Sequence, residues 1–443
     1  MTYTPQSGYL GPPELAVYDA RTGRRRGAWT LGAVLPVILA VVIVAFPKAG
    51  IPAGGIPFNF STLIGLPLAA LGWLYALGNL RRPIDMIGGM LIFVALVLWT
   101  GGFLFAITHH NIPLRDIAMM MFAMAAVFGL GLAPLLRRMP EAAIRSVRFI
   151  RYAVIFLLAY AMLQIAFGAD AVAINYVTAI YGADFEEVLK KHNILHGLDT
   201  YKIFATYQNG NMFSIGIILT FPLALHSLRT LPQKLILLAL FNIVIVYTAS
   251  FSAYVGALVI NVMFFVTHQR RVAVYLPAMV LAAALGGWLY VGQLCSGATN
   301  CALVNLLTSR AINRNLSENE RWDKVSNWFG SLDDSPLTLL VGEIYQTGPT
   351  IREVFVFSVA QNFGAIVLIL MLVFIFIYLR PLRVRFYKAG FYAYMISSFG
   401  ESAFWATPTA FIIGILLAII YVLDSQEEEQ AAQDLLSDRR STA

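Results

Sequence analysis

The chain carries little charge. Of its 443 residues only 12% are Asp, Glu, Lys or Arg, whereas 59% are hydrophobic. Soluble globular domains carry about 25% charged residues, so this composition excludes an ordinary soluble protein. The net charge of +7 does not indicate a nucleic-acid partner, because the placement of basic residues between apolar runs matters more than their sum.

Several functional signatures are also lacking. The chain has no P-loop, no dinucleotide fingerprint and no nucleophile elbow, which argues against ATP-driven transport and soluble-cofactor chemistry. His192 and His196 have the four-residue spacing of metal ligands on a helix, but neither a third ligand nor an HExxH pattern accompanies them. We therefore expect no metal and no other cofactor. The first apolar run lacks a cleavable signal pattern, so we expect it to remain as a span.

What the chain has instead is a series of apolar runs, each long enough to cross a bilayer core of about 30 Å. They predict an all-α fold: a polytopic integral membrane helix bundle with about twelve transmembrane helices. The expected spans are residues 28–46, 60–79, 84–107, 117–136, 152–172, 206–227, 235–250, 253–267, 272–292, 353–379, 389–400 and 406–423.

The positions of Lys and Arg predict the orientation. Most of the 31 basic residues, among them Arg82, Arg137, Arg270 and Lys388, fall in short connections on one side. The positive-inside rule makes that side cytoplasmic, and both termini lie on it. We expect an N-terminal tail at 1–27, nine spans within 28–292 with an outer loop near 173–205, and a large, partly helical outer loop at 293–352. Three spans within 353–423 and an acidic, disordered tail at 424–443 complete the prediction.

The outer loop holds the only two cysteines, Cys295 and Cys301. In an oxidising compartment they could close a small disulfide ring, and two free thiols near a helix end are the alternative. Arg310, Arg314 and Arg321 share one face of this loop if it is helical there. Clustered guanidinium groups suit phosphate or diphosphate.

The alternative for these arginines is ordinary pairing with nearby carboxylates such as Glu320. Arg352 and Glu353 lie where the loop returns to a span. Glu353 is a candidate general base, while snorkelling of Arg352 and the acid preference of a helix N-terminus are the alternatives. The stretch 207–211 opens an apolar span with polar groups that suit a sugar, an ion or a neighbouring helix.

Four short segments occur in an order that resembles the bacterial O-antigen polymerase and ligase superfamily of polytopic glycan-transfer enzymes. They are the span opening at 207–211, the helix start at 248–252, the Arg-Trp pair at 321–322 followed by Pro-Leu at 336–337 and Gly342, and the post-loop helix at 353–364. Two positions depart from the family pattern. Phe251 stands where the second motif has arginine, and Glu353 stands where ligases have histidine. These departures favour a repeat-unit polymerase, for example of an exopolysaccharide.

The resemblance implies a protein of the bacterial inner membrane whose active site faces the periplasm. Such a polymerase transfers a growing glycan from undecaprenyl diphosphate to the non-reducing sugar of a new lipid-linked repeat. Its partners would be the undecaprenyl-diphosphate-linked oligosaccharide, the lipid bilayer, and a chain-length regulator and flippase of the same pathway. Two alternatives are ligase-type transfer to a different acceptor and secondary transport or flipping of a polar lipid.

The implied roles fall on residues already singled out. Arg321, with Arg310, Arg314 and Arg352, would stabilise the departing diphosphate, and Glu353 would deprotonate the acceptor hydroxyl. Arg321 and Glu353 are therefore the expected catalytic residues. The other expected contacts with substrate are Glu320, His196, Tyr207, Asn209, Asn211 and Trp322.

Overall fold

The structure is a computed structural model that describes residues 31–53, 56–109, 124–178, 184–195, 200–268, 320–332, 337–343, 355–379, 386–397 and 408–441. It is 84% helical, which confirms the all-α fold class. Among the described residues, five helices are long and apolar enough to cross a membrane. Shorter apolar helices cover Gly32–Ala45, Gly210–His226, Leu231–Tyr247 and Ser252–Thr267. The count of twelve spans stays a prediction, because one expected span, 272–292, lies outside the described residues.

The first half of the described chain begins with α1 (Leu31–Ile38), which continues as a π-helix (Leu39–Ala45). An antiparallel hairpin follows, made of β1 (Gly50–Ala53) and β2 (Ile56–Asn59) with Gly50 opposite Asn59. The next helices are α2 (Phe60–Leu77), α3 (Pro83–His109), α4 (Ala125–Phe128), α5 (Leu132–Arg137), α6 (Pro140–Phe167) and α7 (Ala169–Val172), with a 3-10 turn (Gly129–Gly131) between α4 and α5.

The second half begins with α8 (Phe185–Asn193) and a short hairpin of β3 (Ile194–Leu195) and β4 (Thr200–Tyr201). The apolar helices α9 (Gly210–His226), α10 (Leu231–Tyr247) and α11 (Phe251–His268) follow. The remaining helices are α12 (Glu320–Ser331), α13 (Leu337–Val341), α14 (Phe355–Leu379), α15 (Ala389–Ser397) and α16 (Thr409–Ser441), with a 3-10 turn (Phe386–Lys388) before α15.

Local sequence explains where several helices begin. Pro140 lies at the start of α6. A backbone N–H at this position has no partner within the helix, so proline, which lacks the N–H, costs no hydrogen bond. Asn209 caps α9, because its side chain accepts a hydrogen bond of 2.9 Å from the Met212 N–H. Thr230 caps α10 in the same way through the Gln233 N–H, at 3.4 Å. Within lipid, helices satisfy the backbone polar groups internally.

The core lies around the apolar half of α16. Of its apolar window, Thr409–Gln426, 72% is buried, compared with 28% for the Pro83–Phe105 window of α3. Helix α16 packs on α5, α6, α9 and α14, whereas α3 packs mainly on α14 and α2. The outward residues of α3 are large and apolar, among them Phe93, Val97 and Leu104. Such a surface suits contact with lipid, as expected for a helix on the outside of a membrane-spanning bundle.

Three boundaries differ from the sequence expectations. Helix α16 continues to Ser441, where we expect a disordered tail after Asp424, because the tail is rich in the helix formers Ala, Leu, Glu and Gln. Helix α6 begins at Pro140, so Arg145 and Arg148 lie on it rather than in a connection before residue 152. Helix α8 ends at Asn193, and His196 lies outside the described residues.

Candidate functional site

The backbone that leads into α9 is buried but not helical. We call residues 203–209 the α9 opening. Gln164 of α6 satisfies this backbone: its Oε1 accepts hydrogen bonds from the N–H groups of Phe204, at 3.2 Å, and Ala205, at 2.8 Å, and its Nε2 donates to the Ala205 carbonyl at 3.1 Å. The Gln164 side chain is 1% exposed. A buried amide therefore replaces the hydrogen bonds that helix geometry would provide.

The side chains of the α9 opening bind the end of the π-helix that follows α1. The Thr206 hydroxyl donates to the Ala45 carbonyl, and the Tyr207 hydroxyl donates to the Val44 carbonyl at 3.0 Å. Carbonyls at a helix end lack intrahelical partners, so these donors stabilise that end. The Tyr207 residue is 1% exposed. Its ring is thus enclosed in the protein, which is the environment of a packing residue rather than of a ring that stacks on a sugar.

The first and second motif segments meet at this place. A Cβ on Gly210 would lie 2.9 Å from the Thr248 carbonyl oxygen, so the start of α9 touches the turn between α10 and α11. The Ile203 N–H also donates to the Tyr247 carbonyl, at 3.1 Å. In that turn Ala249 has a φ of 51°. Asn209 and Asn211, which we expect to contact substrate, lie half-buried at this junction.

Asn193, the last residue of α8, connects the segment before α9 to the same place. Its Nδ2 donates to the Gln208 carbonyl at 3.1 Å, and its own carbonyl accepts from the Lys202 N–H at 2.9 Å. The end of α8 therefore lies against the α9 opening. Neither Gln164 nor Asn193 is among the residues predicted from sequence. A lone polar residue in an apolar span was the available signal for Gln164.

The third and fourth motif segments meet at a break in α14. Gly364 has φ 82° and ψ 164° inside that helix, and Gly342, just after α13, has φ 77°. A Cβ on Gly364 would lie 2.0 Å from the Leu340 carbonyl oxygen. Only glycine adopts this conformation at so close an approach of two backbones. We call this contact the α14 break.

Polar groups gather around the α14 break. The Glu343 N–H donates to the Gln361 carbonyl at 2.6 Å, so the last described residue after α13 is tied to α14. Partial burial raises the pKa of the Glu343 carboxyl. One turn before Gln361, the Ser358 hydroxyl is buried with no hydrogen-bond partner among the described residues. Sequence reasoning singled out Gly342 but missed Glu343.

Helix α12 packs against the start of α14. The Phe329 and Phe357 rings meet edge to face with centroids 5.7 Å apart, and Trp328 is 6% exposed. The expected site residues Glu320, Arg321 and Trp322 form the first turn of α12, and the positions of their side chains lie outside what the structure describes. The expected residues that lie wholly outside the described segments are Cys295, Cys301, Arg310, Arg314, Arg352, Glu353 and His196.

Two buried ion pairs lie away from both places. Arg137, at the end of α5, pairs with Asp85 in the first turn of α3. Lys388 pairs with Asp424 of α16 at 2.5 Å, and the Tyr387 hydroxyl donates to the same carboxylate. Sequence reasoning counted Arg137 and Lys388 only as charges that orient the protein. In the structure both cations are buried with a carboxylate, as charges in protein interiors require.

Among the described residues, no group of three or more His, Cys, Asp or Glu side chains could hold a metal ion. The α9 opening and the α14 break have largely different neighbours: α9 packs on α6, α11 and α15, α14 packs on α3 and α13, and both helices pack on α16. No model of a protein family, no curated protein and no solved structure matches the chain.

Proposed function

We propose that this protein is a polymerase of lipid-linked polysaccharide repeat units. It would be a multi-pass protein of the bacterial inner membrane, with both termini cytoplasmic, and would act on substrate at the periplasmic face. The observation that carries the proposal is the pairing in space of the four motif segments. Residues 207–211 adjoin residues 248–252 at the α9 opening, and Gly342 adjoins Gly364 at the α14 break.

This pairing supports the proposal because each motif is short and weak by itself. Chance likenesses scattered over residues 200–370 have no reason to meet in pairs. Both meeting places also combine buried polar groups with non-helical backbone. In membrane proteins such backbone is tolerated where it is enclosed in protein or lines a cavity, and binding sites commonly use it.

The reaction that we propose requires no added oxidant or nucleotide. The oxygen of a hydroxyl on the non-reducing sugar of the new repeat attacks the anomeric carbon of the growing glycan. A C–O bond forms there while the bond to undecaprenyl diphosphate breaks. The diphosphate leaves with the electron pair, and the hydroxyl proton passes to a carboxylate. The site must therefore stabilise an anion and accept a proton.

In this proposal Arg321 stabilises the leaving diphosphate, together with Arg310, Arg314 and Arg352. Glu353 is the base predicted from sequence, and Glu343 is a second candidate. Burial raises the pKa of Glu343, which brings a carboxylate closer to the neutral range in which a general base is effective. Glu343 is also tied directly to the α14 break through its N–H.

The test is a reconstituted reaction. Purified protein in lipid nanodiscs is incubated with undecaprenyl-diphosphate-linked repeat units, without added nucleotide or metal, and the products are separated by length. We expect longer lipid-linked glycans. Arg321→Ala is expected to lower the rate about 100-fold or more, as the loss of a transition-state donor does. The control is Lys191→Ala, which removes an exposed cation of α8 and is expected to leave the rate unchanged.

The result that would reject the proposal is an absence of longer glycans from wild-type protein that binds the lipid-linked repeat. Glu353→Gln and Glu343→Gln, assayed in parallel, separate the two candidate bases. The true base variant loses the rate but keeps the KM, because it alters proton transfer and not binding. If both variants keep full activity, neither carboxylate is the base.

A second candidate function is secondary transport or flipping of a polar lipid. The α14 break favours it, because discontinuous spans with unwound backbone form the substrate sites of many transporters. Proteoliposomes separate the two functions. Transport moves a fluorescent lipid-linked sugar across the bilayer without changing its length, whereas polymerisation lengthens the glycan on one side.

A further inference from the structure

The Arg137–Asp85 pair lies at one end of the bundle, away from the α9 opening and the α14 break. Asp85 lies in the first turn of α3, Arg137 in the last turn of α5 and Tyr378 at the end of α14. These three residues converge, so three apolar helices begin or end at one level. A level at which membrane helices end is the interface with lipid headgroups.

Two adjacent arginines occupy this level in fixed positions. The Arg137 side chain is 6% exposed, and its guanidinium lies 5.8 Å from the Tyr378 ring and 5.9 Å from the Tyr421 ring. The Arg138 guanidinium lies 5.9 Å from the Tyr75 ring. Both arginines lie within electrostatic range of the Tyr378 hydroxyl. Aromatic rings hold guanidinium groups in place by cation–π attraction.

The cluster of Arg137, Arg138, Asp85 and Tyr378 has more unpartnered hydrogen-bond donors than acceptors. Among the described residues, the buried atoms without a partner include Nε and Nη1 of Arg137, Nε and Nη2 of Arg138, and the Tyr378 hydroxyl. The acceptors among the cluster's unpartnered atoms are Asp85 Oδ2 and the Tyr378 hydroxyl oxygen, against four guanidinium nitrogens. Even if each of these oxygens accepts from one guanidinium nitrogen, two nitrogens remain. A buried polar atom without a partner costs about 1–3 kcal/mol, so this cluster is suited to an additional acceptor.

The cluster also carries more positive than negative charge. Arginine stays protonated in proteins, so Arg137 and Arg138 carry two positive charges against the single carboxylate of Asp85. A group that suits these donors carries negative charge, accepts hydrogen bonds and presents two oxygens to a planar fork. A phosphate oxyanion in an ester has this chemistry.

We propose that Arg137 and Arg138 bind a phosphate oxyanion at this end of the bundle. The neighbouring turn between α2 and α3 provides room: a surface pocket of about 520 Å³ is lined by residues 77–82, which include Arg81 and Arg82. The oxyanion comes either from the headgroup of an anionic phospholipid or from free phosphate. The site is independent of the proposed glycan transfer.

The experiment measures binding to delipidated protein in an uncharged detergent. One arm titrates phosphatidylglycerol against diacylglycerol, which lacks the phosphate, by native mass spectrometry. A second arm follows the thermal unfolding midpoint in inorganic phosphate against chloride at equal ionic strength. We expect Arg138→Gln to bind the anion about 10- to 100-fold more weakly, the effect of losing charge-assisted hydrogen bonds.

The matched control is Arg145→Gln. Arg145 is 48% exposed and pairs only loosely with Glu141, at 3.9 Å, so its loss is expected to leave binding unchanged. Arg138→Lys keeps the charge but loses the planar fork, and we expect intermediate affinity from it. Arg138 is chosen over Arg137 because loss of Arg137 leaves Asp85 as an unpaired buried charge, which threatens folding.

Each outcome decides the proposal. A preference for phosphatidylglycerol that Arg138→Gln loses and Arg145→Gln keeps supports a lipid headgroup as the source. Stabilisation by inorganic phosphate alone, with the same dependence on Arg138, supports free phosphate. If wild-type protein and Arg138→Gln bind both anions equally, the proposal is overturned.

Discussion

The α9 opening and the α14 break are both interruptions of buried helix, but they are stabilised in different ways. At the α9 opening, side chains bind the buried, non-helical backbone: Gln164 of α6 binds Phe204 and Ala205, and Tyr207 of the opening itself donates to the end of the π-helix. At the α14 break, two glycines allow backbone to touch backbone, and one hydrogen bond from Glu343 joins them. The first interruption depends on hydrogen-bonding side chains, and the second depends on the absence of side chains.

This difference predicts which substitutions each place tolerates. The α9 opening should lose stability in steps, as individual hydrogen bonds are removed. The α14 break should fail at once when any Cβ is added, because a backbone carbonyl cannot move aside as a flexible side chain can.

Gly364→Ala is expected to have the largest effect. The new Cβ would lie 2.0 Å from the Leu340 carbonyl oxygen, at a φ of 82° that alanine disfavours. Overpacking and backbone strain together are expected to cost roughly 4 kcal/mol or more and to release α13 from α14. Hydrogen exchange over residues 337–343 measures that release. Gly101→Ala on α3, where nothing lies within 4 Å of the added Cβ, is the control and should retain wild-type stability.

Gln164→Leu is expected to lower the free energy of unfolding by about 3 kcal/mol. Leucine fills a similar space but leaves two N–H groups and one carbonyl of the α9 opening without their present partners. Thermal unfolding in detergent measures the loss. Asn79→Ala, which removes an exposed side chain that donates to the Tyr75 carbonyl, is the comparison. Equal losses from the two variants would contradict a special role for Gln164.

Lys48, in the turn after the π-helix, makes stability near the α9 opening depend on pH. Burial lowers the pKa of Lys48 from 10.5 to about 8. Between these values the unfolded chain binds more protons than the folded chain, so the free energy of unfolding rises with pH. From pH 8 to about pH 10 we expect a gain of about 2 kcal/mol. Lys48→Met should abolish this gain, and a pH slope that persists in that variant would assign it to another group.

Tyr207→Phe is expected to have the smallest effect. It removes the hydrogen bond to the Val44 carbonyl but keeps the buried ring, which costs about 1 kcal/mol. Because the ring is enclosed, we expect glycan length and KM to stay unchanged in the reconstituted reaction. A higher KM at unchanged stability would instead assign Tyr207 to substrate.

At both places, some residues could be predicted from local sequence and others could not. The stretch 207–211 was recognisable because polar residues stand out in an apolar span. Its partner Gln164 lies more than forty residues away in sequence, and no local pattern pairs the two. Gly342 was recognisable within a motif. The adjoining Glu343 was not, because its raised pKa comes from tertiary burial.

The positions of charged residues in the sequence likewise predicted only part of what the structure shows. The positions of Arg137 and Lys388 between apolar runs predicted that they lie in connections between spans; in the structure Arg137 ends α5 and Lys388 lies in the 3-10 turn before α15. Local sequence does not say that each meets a buried carboxylate, Asp85 or Asp424. The helical form of the chain after Asp424 was also missed, since an acidic, polar composition was taken to indicate disorder.

The sequence by itself determined that the chain is an apolar, all-helical protein suited to a membrane, and it located several of the boundaries where helices begin. These properties follow from composition, period and capping residues, which act within a few positions of one another. The tertiary structure decided which distant residues meet: Gln164 meets the α9 opening, Asp85 meets Arg137, and Gly342 meets Gly364. Burial and hydrogen bonding join residues that are distant in sequence, so packing of the helices had to bring them together first.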